Sequence, residues 1–154
     1  MIVLYESGTH LFLPKSGRVL VGGCFDLLHY GHIRFLEEAR LKGQSLTIAL
    51  EPDEMIIKSK KRHPVHTQEQ RAAILTALRP VDCVLLLPLL VSFEDYYALV
   101  RDVSPSVIAV TQGDPQIENK RRQVALSGGQ VEVVVPQLEG FSSSHILSLL
   151  GEHL

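Results

Sequence analysis

Cysteine is scarce in this chain, and long apolar runs are absent. The two cysteines among the 154 residues, Cys24 and Cys83, have neither metal-ligand nor redox-motif spacing, so we expect free thiols in a reducing cytoplasm. No apolar run approaches the roughly 20 residues of a membrane span. The short apolar start lacks the basic flank and cleavage pattern of a signal peptide, which predicts a cytoplasmic protein without a membrane partner.

An excess of positive charge is also missing. The net charge of −2 and the pI of about 6.4 give no global field of the kind that non-specific nucleic-acid binders use. Any surface for a polyanion must therefore be local. The length fits one domain, and the fractions of hydrophobic and charged residues, 45% and 21%, are those of an ordinary globular domain.

Apolar runs alternate with helical patterns from residue 18 onward. Five runs have the length and composition of strands: residues 18–21, 45–50, 81–87, 106–111 and 130–135. Amphipathic segments between them predict a single α/β domain, residues 18–154, with a five-stranded parallel sheet. Glycine and proline punctuate residues 1–17, which we interpret as an N-terminal arm packed on the domain.

The stretch from residue 20 to 36 carries the clearest chemistry. A strand stops at Gly22 and Gly23, which allow a sharp turn and a close approach to a ligand. A helix beginning near Gly31 offers unpaired N–H groups and a partial positive charge. His29 and His32 add two donors beside that helix end. Together these features predict a phosphate cradle.

Two other interpretations of this stretch stay open. The histidines could be satisfied by local backbone in a glycine-rich turn. They could also bind a metal, but zinc needs three or four ligands and only Cys24 is close in sequence, so we assign no metal site.

Residues 51–67 differ in character, because four cations fall within residues 58–62. Such a run predicts a mobile solvated loop. It follows the second strand of a doubly wound sheet, where ligands bind, so Lys58 and Lys61 could close over a triphosphate. A nucleic-acid interface is the alternative, but it rests on this run alone and lacks interleaved aromatic residues.

Residues 20–36 resemble the G-x-F-D-x-x-H-x-G-H signature of the nucleotidyltransferase superfamily that contains the cytidylyltransferases. The matching positions are Gly22 or Gly23, Phe25, Asp26, His29, Gly31 and His32. The resemblance implies a Rossmann-like doubly wound sheet, Mg²⁺, and transfer of a nucleotidyl group from a nucleoside triphosphate to a small phosphorylated molecule. It also implies that Cys24 and Phe25 lie at the nucleotide.

Later landmarks of the same family follow in order. The turn at Gly113 and Asp114 is similar to a nucleotide-binding turn, and the late motif E-G-x-S-T-T is similar to residues 139–144. Hydroxyls of that motif would bind the β- and γ-phosphates. The corresponding residues here are Ser142, Ser143 and Ser144.

Acceptor binding is less clearly marked. Arg71 and Arg79 are candidates for the acceptor phosphate. Asp26 is a third acceptor-side candidate, which could orient the loop, help to hold Mg²⁺ through water, or simply cap a turn. An arginine usual in the family near the late motif is missing, with Gln137 and Phe141 at the two places it would occupy.

The spacing looks most like the adenylyltransferases of heptose 1-phosphate, followed by the glycerol-3-phosphate cytidylyltransferases. We therefore expect ATP rather than CTP as donor and a sugar or polyol phosphate as acceptor. A catalytically weak nucleotide-binding regulatory module is the alternative, because the departures from the family lie on the base and acceptor side. We expect a homodimer.

Overall fold

The computed structural model describes residues 1–14, 16–136 and 142–151. Strands and helices alternate along the chain as the pattern predicts. The strands are β1 (Ile2–Leu4), β2 (Arg18–Gly23), β3 (Ser45–Leu50), β4 (Cys83–Leu86), β5 (Val107–Thr111) and β6 (Gln130–Val135). The helices are α1 (Tyr30–Arg40), α2 (Asp53–Lys60), α3 (Gln68–Thr76), α4 (Phe93–Val103), α5 (Ile117–Ala125) and α6 (Ser143–Gly151).

The strands form one parallel sheet in the order β1-β4-β3-β2-β5-β6. The α/β class is confirmed, but the prediction of five strands is wrong, because β1 adds a sixth at the edge. Ile2 pairs with Val84 and Leu4 with Leu86. Three residues followed by a turn are too short for a period of two to be recognised in the sequence.

Side chains of the central strands alternate between two apolar cores. Val19 and Val21 of β2 face one core with α1 and α3, whereas Leu20 faces the other with α4 and α5. Both faces of the sheet are thus covered by helices, as parallel sheets require.

The N-terminal segment is tied to the domain by buried contacts. Tyr5 and Leu11 are buried in the core beside α4, and the Tyr5 hydroxyl donates to Asp102 Oδ2 at 3.0 Å. The buried guanidinium of Arg18 donates to the carbonyls of Val103 and Leu11. None of the helices in the described ranges is both long and apolar enough to cross a membrane.

Helix α2 corrects a second expectation. The charged segment after β3 is a helix as far as Lys60, whereas the sequence predicts a loop. Asp53 and Glu54 lie in the first turn and two lysines in the last, so the charges complement the helix dipole. Ile56 is completely buried and anchors the helix.

The topology places a crevice at the carboxyl ends of the central strands. The chain passes from β2 to β3 and β4 on one side, and β5 then returns to the other side of β2. A ligand site is expected at this switch point, just beyond Gly23 and Thr111.

Candidate active site

The two histidines of the signature stack at the start of α1. Their ring centroids are 3.8 Å apart with planes 24° from parallel, and the Phe25 ring lies 5.1 Å from that of His32. His29 is the N-cap residue and its side chain makes no capping hydrogen bond. No acidic residue lies in the first turn of this helix. The helix end therefore presents imidazoles and positive potential together, as an anion site requires.

The turn before the helix depends on a glycine. Phe25 is buried with φ of 46°, a conformation that is uncommon for a residue with a side chain. A Cβ on Gly23 would lie 2.9 Å from the Phe25 ring, whereas one on Gly22 would meet nothing closer than 3.9 Å. Gly23 is thus the position where a side chain would displace Phe25, the ring that packs against His32.

Both imidazoles are held in their neutral form. Burial, then the charges of His29 and Lys60, lower the pKa of His32 to about 3. Burial and Lys60 also lower the pKa of His29. The buried Nδ1 of His32 has no hydrogen-bond partner among the described residues. A ring nitrogen in that state gains most from a ligand or water that pairs with it.

Lys60 is the functional candidate that the sequence interpretation missed. Its charge acts on the pKa of His29, His32 and Cys24, so it lies beside the cradle. Lys58 instead lines a neighbouring cavity. Residues two apart on a helix point about 200° apart, so recognising the helix would have separated these two lysines. Lys61 is exposed and ends the helix in the left-handed conformation.

Asp26 lies behind the cradle with its side chain completely buried. Its carboxylate accepts from Arg62 Nη1 at 2.6 Å and from the backbone N–H groups of Val65 and His66. Burial works to raise the pKa of Asp26, but these hydrogen bonds outweigh it and the pKa is lowered. Because both oxygens are engaged, the geometry favours a positioning role over direct contact with an acceptor or a metal.

Arg71 is also buried and acts as a clamp. Its Nη1 donates to the carbonyls of Cys24 and Glu51, beyond the ends of β2 and β3. Nε donates to the carbonyl of His66, and Nη2 pairs with Asp53 Oδ1 at 2.7 Å. Each guanidinium nitrogen is thereby occupied, which argues for positioning rather than for capture of the acceptor phosphate.

Arg79 is not brought to the cradle. It is exposed in the connection between α3 and β4, beside the amino ends of the strands. Three residues further on, the backbone N–H of Asp82 donates to the carbonyl of Leu46, near the start of β3. The cradle lies at the opposite edge of the sheet, so the geometry contradicts an acceptor role for Arg79.

The predicted turn after β5 forms at the same edge as the cradle. Gly113 has φ of 80°, which favours glycine. Asp114 accepts from the N–H of Gln116 and from Lys120 Nζ. The carboxylate is therefore used within the turn and α5.

The late serines meet the signature loop. Ser143 is buried, and its hydroxyl donates to the carbonyl of Leu27 and accepts from the N–H of the same residue. Ser142 caps α6 by accepting from the N–H of His145 at 3.0 Å. Ser144 is exposed in the first turn. Gln137 and Phe141 lie outside the described residues.

A cavity of about 470 Å³ adjoins the cradle on the α4 and α5 side of the sheet. Gly22 and Gly23 line this cavity and also belong to the turn that leads into the cradle. The apolar lining residues include Leu20, Ala49, Leu87, Leu90, Phe93, Leu99, Val100 and Ile108. The polar ones are Glu51, Lys58, Ser92, Tyr96, Gln116, Asn119, Lys120 and Gln123. A second ligand could therefore bind directly beside a triphosphate.

Glu51 and Tyr96 form a half-buried polar pair in this cavity. The Tyr96 hydroxyl donates to Glu51 Oε1 at 2.9 Å. Burial raises the pKa of Glu51, and burial and then the Glu51 charge raise the pKa of Tyr96. The sequence interpretation did not identify either residue, because neither belongs to the signature or to the basic run.

The described residues contain no group of three or more His, Cys, Asp or Glu side chains that could hold a metal ion. A divalent ion at this site would therefore be held mainly by phosphate oxygens of a bound nucleotide, which is the usual arrangement for Mg²⁺ with nucleotides. The described residues offer no all-protein cage.

The chain is similar to a known protein family and to several named proteins. The family model described as Cytidylyltransferase-like matches residues 20–147. A protein named FAD synthase from Thermococcus kodakarensis is 38% identical over 129 residues, covering 80% of this chain and 83% of the relative. The bifunctional protein HldE from Coxiella burnetii is 35% identical over 133 residues, 84% of this chain. That match spans only 26% of HldE.

A solved structure has the same fold. The lipopolysaccharide core biosynthesis protein of Thermoplasma volcanium superposes with a TM-score of 0.63 at 25% identity. The match covers 80% of this chain and 97% of that protein.

Proposed function

Since the chain belongs to the cytidylyltransferase-like family, and is thus a nucleotidyltransferase acting on a phosphorylated substrate, we propose that it transfers the adenylyl group of ATP to flavin mononucleotide (FMN). The products are flavin adenine dinucleotide (FAD) and pyrophosphate. An aromatic acceptor replaces the simple sugar or polyol phosphate expected from the sequence.

The observation that carries this proposal is the cavity beside the cradle. Its volume of about 470 Å³ and its largely aliphatic walls suit a flat, mostly apolar ring system. Three amide side chains, Gln116, Asn119 and Gln123, supply donors and acceptors that suit the imide edge of a flavin. A small sugar phosphate would leave most of the apolar wall without contact.

The identity of the donor follows from the product. FAD contains an adenylyl group joined to FMN, so an enzyme that makes it from FMN takes that group from ATP. The FAD synthase name of the Thermococcus relative therefore supports ATP over CTP. A sugar phosphate acceptor is the second candidate, supported by the similarity to HldE.

The chemical step needs alignment rather than a covalent intermediate. An oxygen of the FMN phosphate attacks the α-phosphorus of ATP, and a new P–O bond forms. The bond from that phosphorus to the oxygen bridging the β-phosphate breaks, and pyrophosphate leaves with the electron pair. The attacking oxygen is already anionic, so no strong base is required.

We assign charge stabilisation to the cradle. His29, His32 and the start of α1 present N–H donors to the α-phosphate and the bridging oxygen, where negative charge increases. Neutral imidazoles are suitable because they bind without a prior proton exchange. We assign neutralisation of the departing pyrophosphate to Lys60, whose charge acts on the pKa of His32, and contact with the acceptor to Lys58, which lines the cavity.

Enzymes of this family generally use a divalent metal ion. We propose Mg²⁺, bound to the triphosphate rather than to protein carboxylates, because the described residues offer no cluster that would hold it. The ion would neutralise charge on the phosphates as they separate.

The test pairs each donor with each acceptor. Purified protein with Mg²⁺ is given ATP or CTP together with FMN, a heptose or hexose 1-phosphate, or glycerol 3-phosphate, and pyrophosphate release is measured. We expect release with ATP and FMN, with one FAD formed per pyrophosphate. Stabilisation against heat should be larger with ATP than with CTP.

Other outcomes would replace the proposal. Pyrophosphate release with a sugar phosphate but not with FMN would give the chain the activity of the second candidate. Binding of ATP without release with any acceptor would instead indicate a regulatory nucleotide-binding module.

A further inference from the structure

Glu51 occupies the junction between the cradle and the acceptor cavity. Its N–H donates to the carbonyl of Gly23 at 3.0 Å, and its own carbonyl accepts from Arg71. The backbone at this position is thereby fixed against the loop that begins the signature. The side chain lines the cavity together with Gly22, Gly23 and Lys58. If the acceptor binds in this cavity with its phosphate at the cradle, the part next to the phosphate lies beside this carboxyl group.

One oxygen of that carboxyl group is unused. Oε1 accepts from Tyr96, but Oε2 is buried and has no hydrogen-bond partner among the described residues. A buried carboxylate oxygen without a partner is costly, so a site that keeps one gains from a ligand that pairs with it.

Several other polar groups of the cavity wall already have one partner within the protein. Lys120 is paired with Asp114, Asn119 donates to Gln116, and Gln123 donates to the carbonyl of Phe93. Among the described residues that line the cavity, Glu51 Oε2 is the buried side-chain polar atom without a hydrogen-bond partner.

We propose that Glu51 is a specificity-determining residue, whose Oε2 binds a hydroxyl of the carbon chain that joins the acceptor's phosphate to its remaining part. A hydroxyl is suited to this place because it can donate to a carboxylate or accept from a carboxylic acid. In FMN the group in question is the ribityl chain, and a sugar phosphate carries hydroxyls at the corresponding distance from its phosphate.

The inference rests on the proposed nucleotidyl transfer to a phosphorylated acceptor, but not on the flavin ring. The test compares FMN with a flavin in which an unsubstituted five-carbon chain links ring and phosphate. Both retain the ring and the phosphate, so they differ only in the hydroxyls. For the wild-type enzyme we expect kcat/KM to be about 10- to 100-fold higher with FMN, the range expected for a hydrogen bond to a charged group.

Substitution of Glu51 should remove this preference. In Glu51→Ala the ratio of the two kcat/KM values should fall to within about 3-fold of unity, while KM for ATP and the Mg²⁺ dependence stay unchanged. Glu51→Gln keeps the shape and can still pair with a hydroxyl, so it should retain part of the preference. Glu54→Ala is the matched control, because that carboxylate is exposed on α2.

The outcomes separate the two proposals. FAD formation with equal use of both flavins by the wild type, or an unchanged preference in Glu51→Ala, would overturn the role of Glu51 and leave the enzyme activity standing. A changed Mg²⁺ dependence in place of changed discrimination would also overturn it. If FMN is not a substrate, the comparison is made with hexose 1-phosphate and its deoxy analogues, and equal use of these would overturn the inference.

Discussion

Replacing Asp26 tests whether the signature carboxylate supports the site or acts in it. Its side chain is fully buried and receives two backbone N–H groups and the Arg62 guanidinium, whose side chain is 24% exposed. Asp26→Ala would leave three donors without their acceptor. Breaking a buried charge pair costs about 3–5 kcal/mol, so we expect a loss of unfolding free energy in this range.

The loss should be visible in both urea and thermal unfolding. For a chain of this size, about 2–4 °C in Tm corresponds to each kcal/mol, which predicts a decrease in Tm of roughly 6–20 °C. Glu118→Ala is the matched control, because Glu118 also forms an ion pair, with Arg121, but on the surface. Such pairs contribute about 0–1 kcal/mol.

The acid dependence gives a second measurement of the same carboxylate. The folded state lowers the pKa of Asp26 below its ordinary value of 3.8. Its stabilisation is therefore complete above the unfolded pKa and is lost as the pH falls through the lower, folded pKa. The difference in stability between wild type and Asp26→Asn should shrink across this acidic range. If Asp26→Ala were as stable as the wild type and lost only activity, the positioning role would be refuted.

Three further substitutions test the cradle. His32→Ala should lower turnover by about 10²-fold or more without unfolding the protein, measured by steady-state kinetics and Tm, because it removes a preorganised donor. Lys60→Ala should weaken ATP binding and flatten its salt dependence more than Lys58→Ala does, measured by titration at several salt concentrations. Gly23→Ala should lower stability by about 1–3 kcal/mol in urea unfolding because its Cβ would collide with an aromatic ring, whereas Gly22→Ala should be tolerated.

A different result would contradict each of these three predictions. Turnover near the wild-type value in His32→Ala would remove the imidazole from the mechanism. A larger effect of Lys58 than of Lys60 on ATP binding would place the triphosphate on the cavity side. Equal stability of the two glycine variants would show that Phe25 moves aside without cost.

The sequence predicted those parts of the fold that have strong local signals. Alternating strands and helices predicted the parallel sheet, and the pattern from Gly23 to His32 predicted a strand, a turn and a helix that begins beside the two histidines. Both depend on residues close together in the chain. The edge strand β1 could not be predicted, because its pairing with β4 joins residues about 80 positions apart and only three residues take part.

The roles of polar residues are harder to predict when their hydrogen-bond partners lie far away in the sequence. The sequence makes Arg71 a candidate for the acceptor phosphate, because no local pattern shows the partners of its guanidinium. Its partners, the carbonyls of Cys24 and Glu51, are 47 and 20 residues away. Helix α2 is not predicted for a related reason. The run of cations from residue 58 favours a solvated loop, whereas the acidic first turn and the buried Ile56 stabilise the helix.

The Arg71 clamp has a consequence for how this scaffold diversifies. It fixes the ends of β2 and β3, and with them the triphosphate side, from within a single helix. The far wall of the cavity beside the cradle belongs to α4 and α5, and in the described part of the chain no hydrogen bond joins these helices to Arg71. We therefore expect mutations in that wall, away from Tyr96, to alter the accepted molecule with little effect on the geometry of the donor site. With such a division, a change of acceptor would not require a change in the phosphate chemistry, in keeping with similar proteins that carry different names, FAD synthase and HldE.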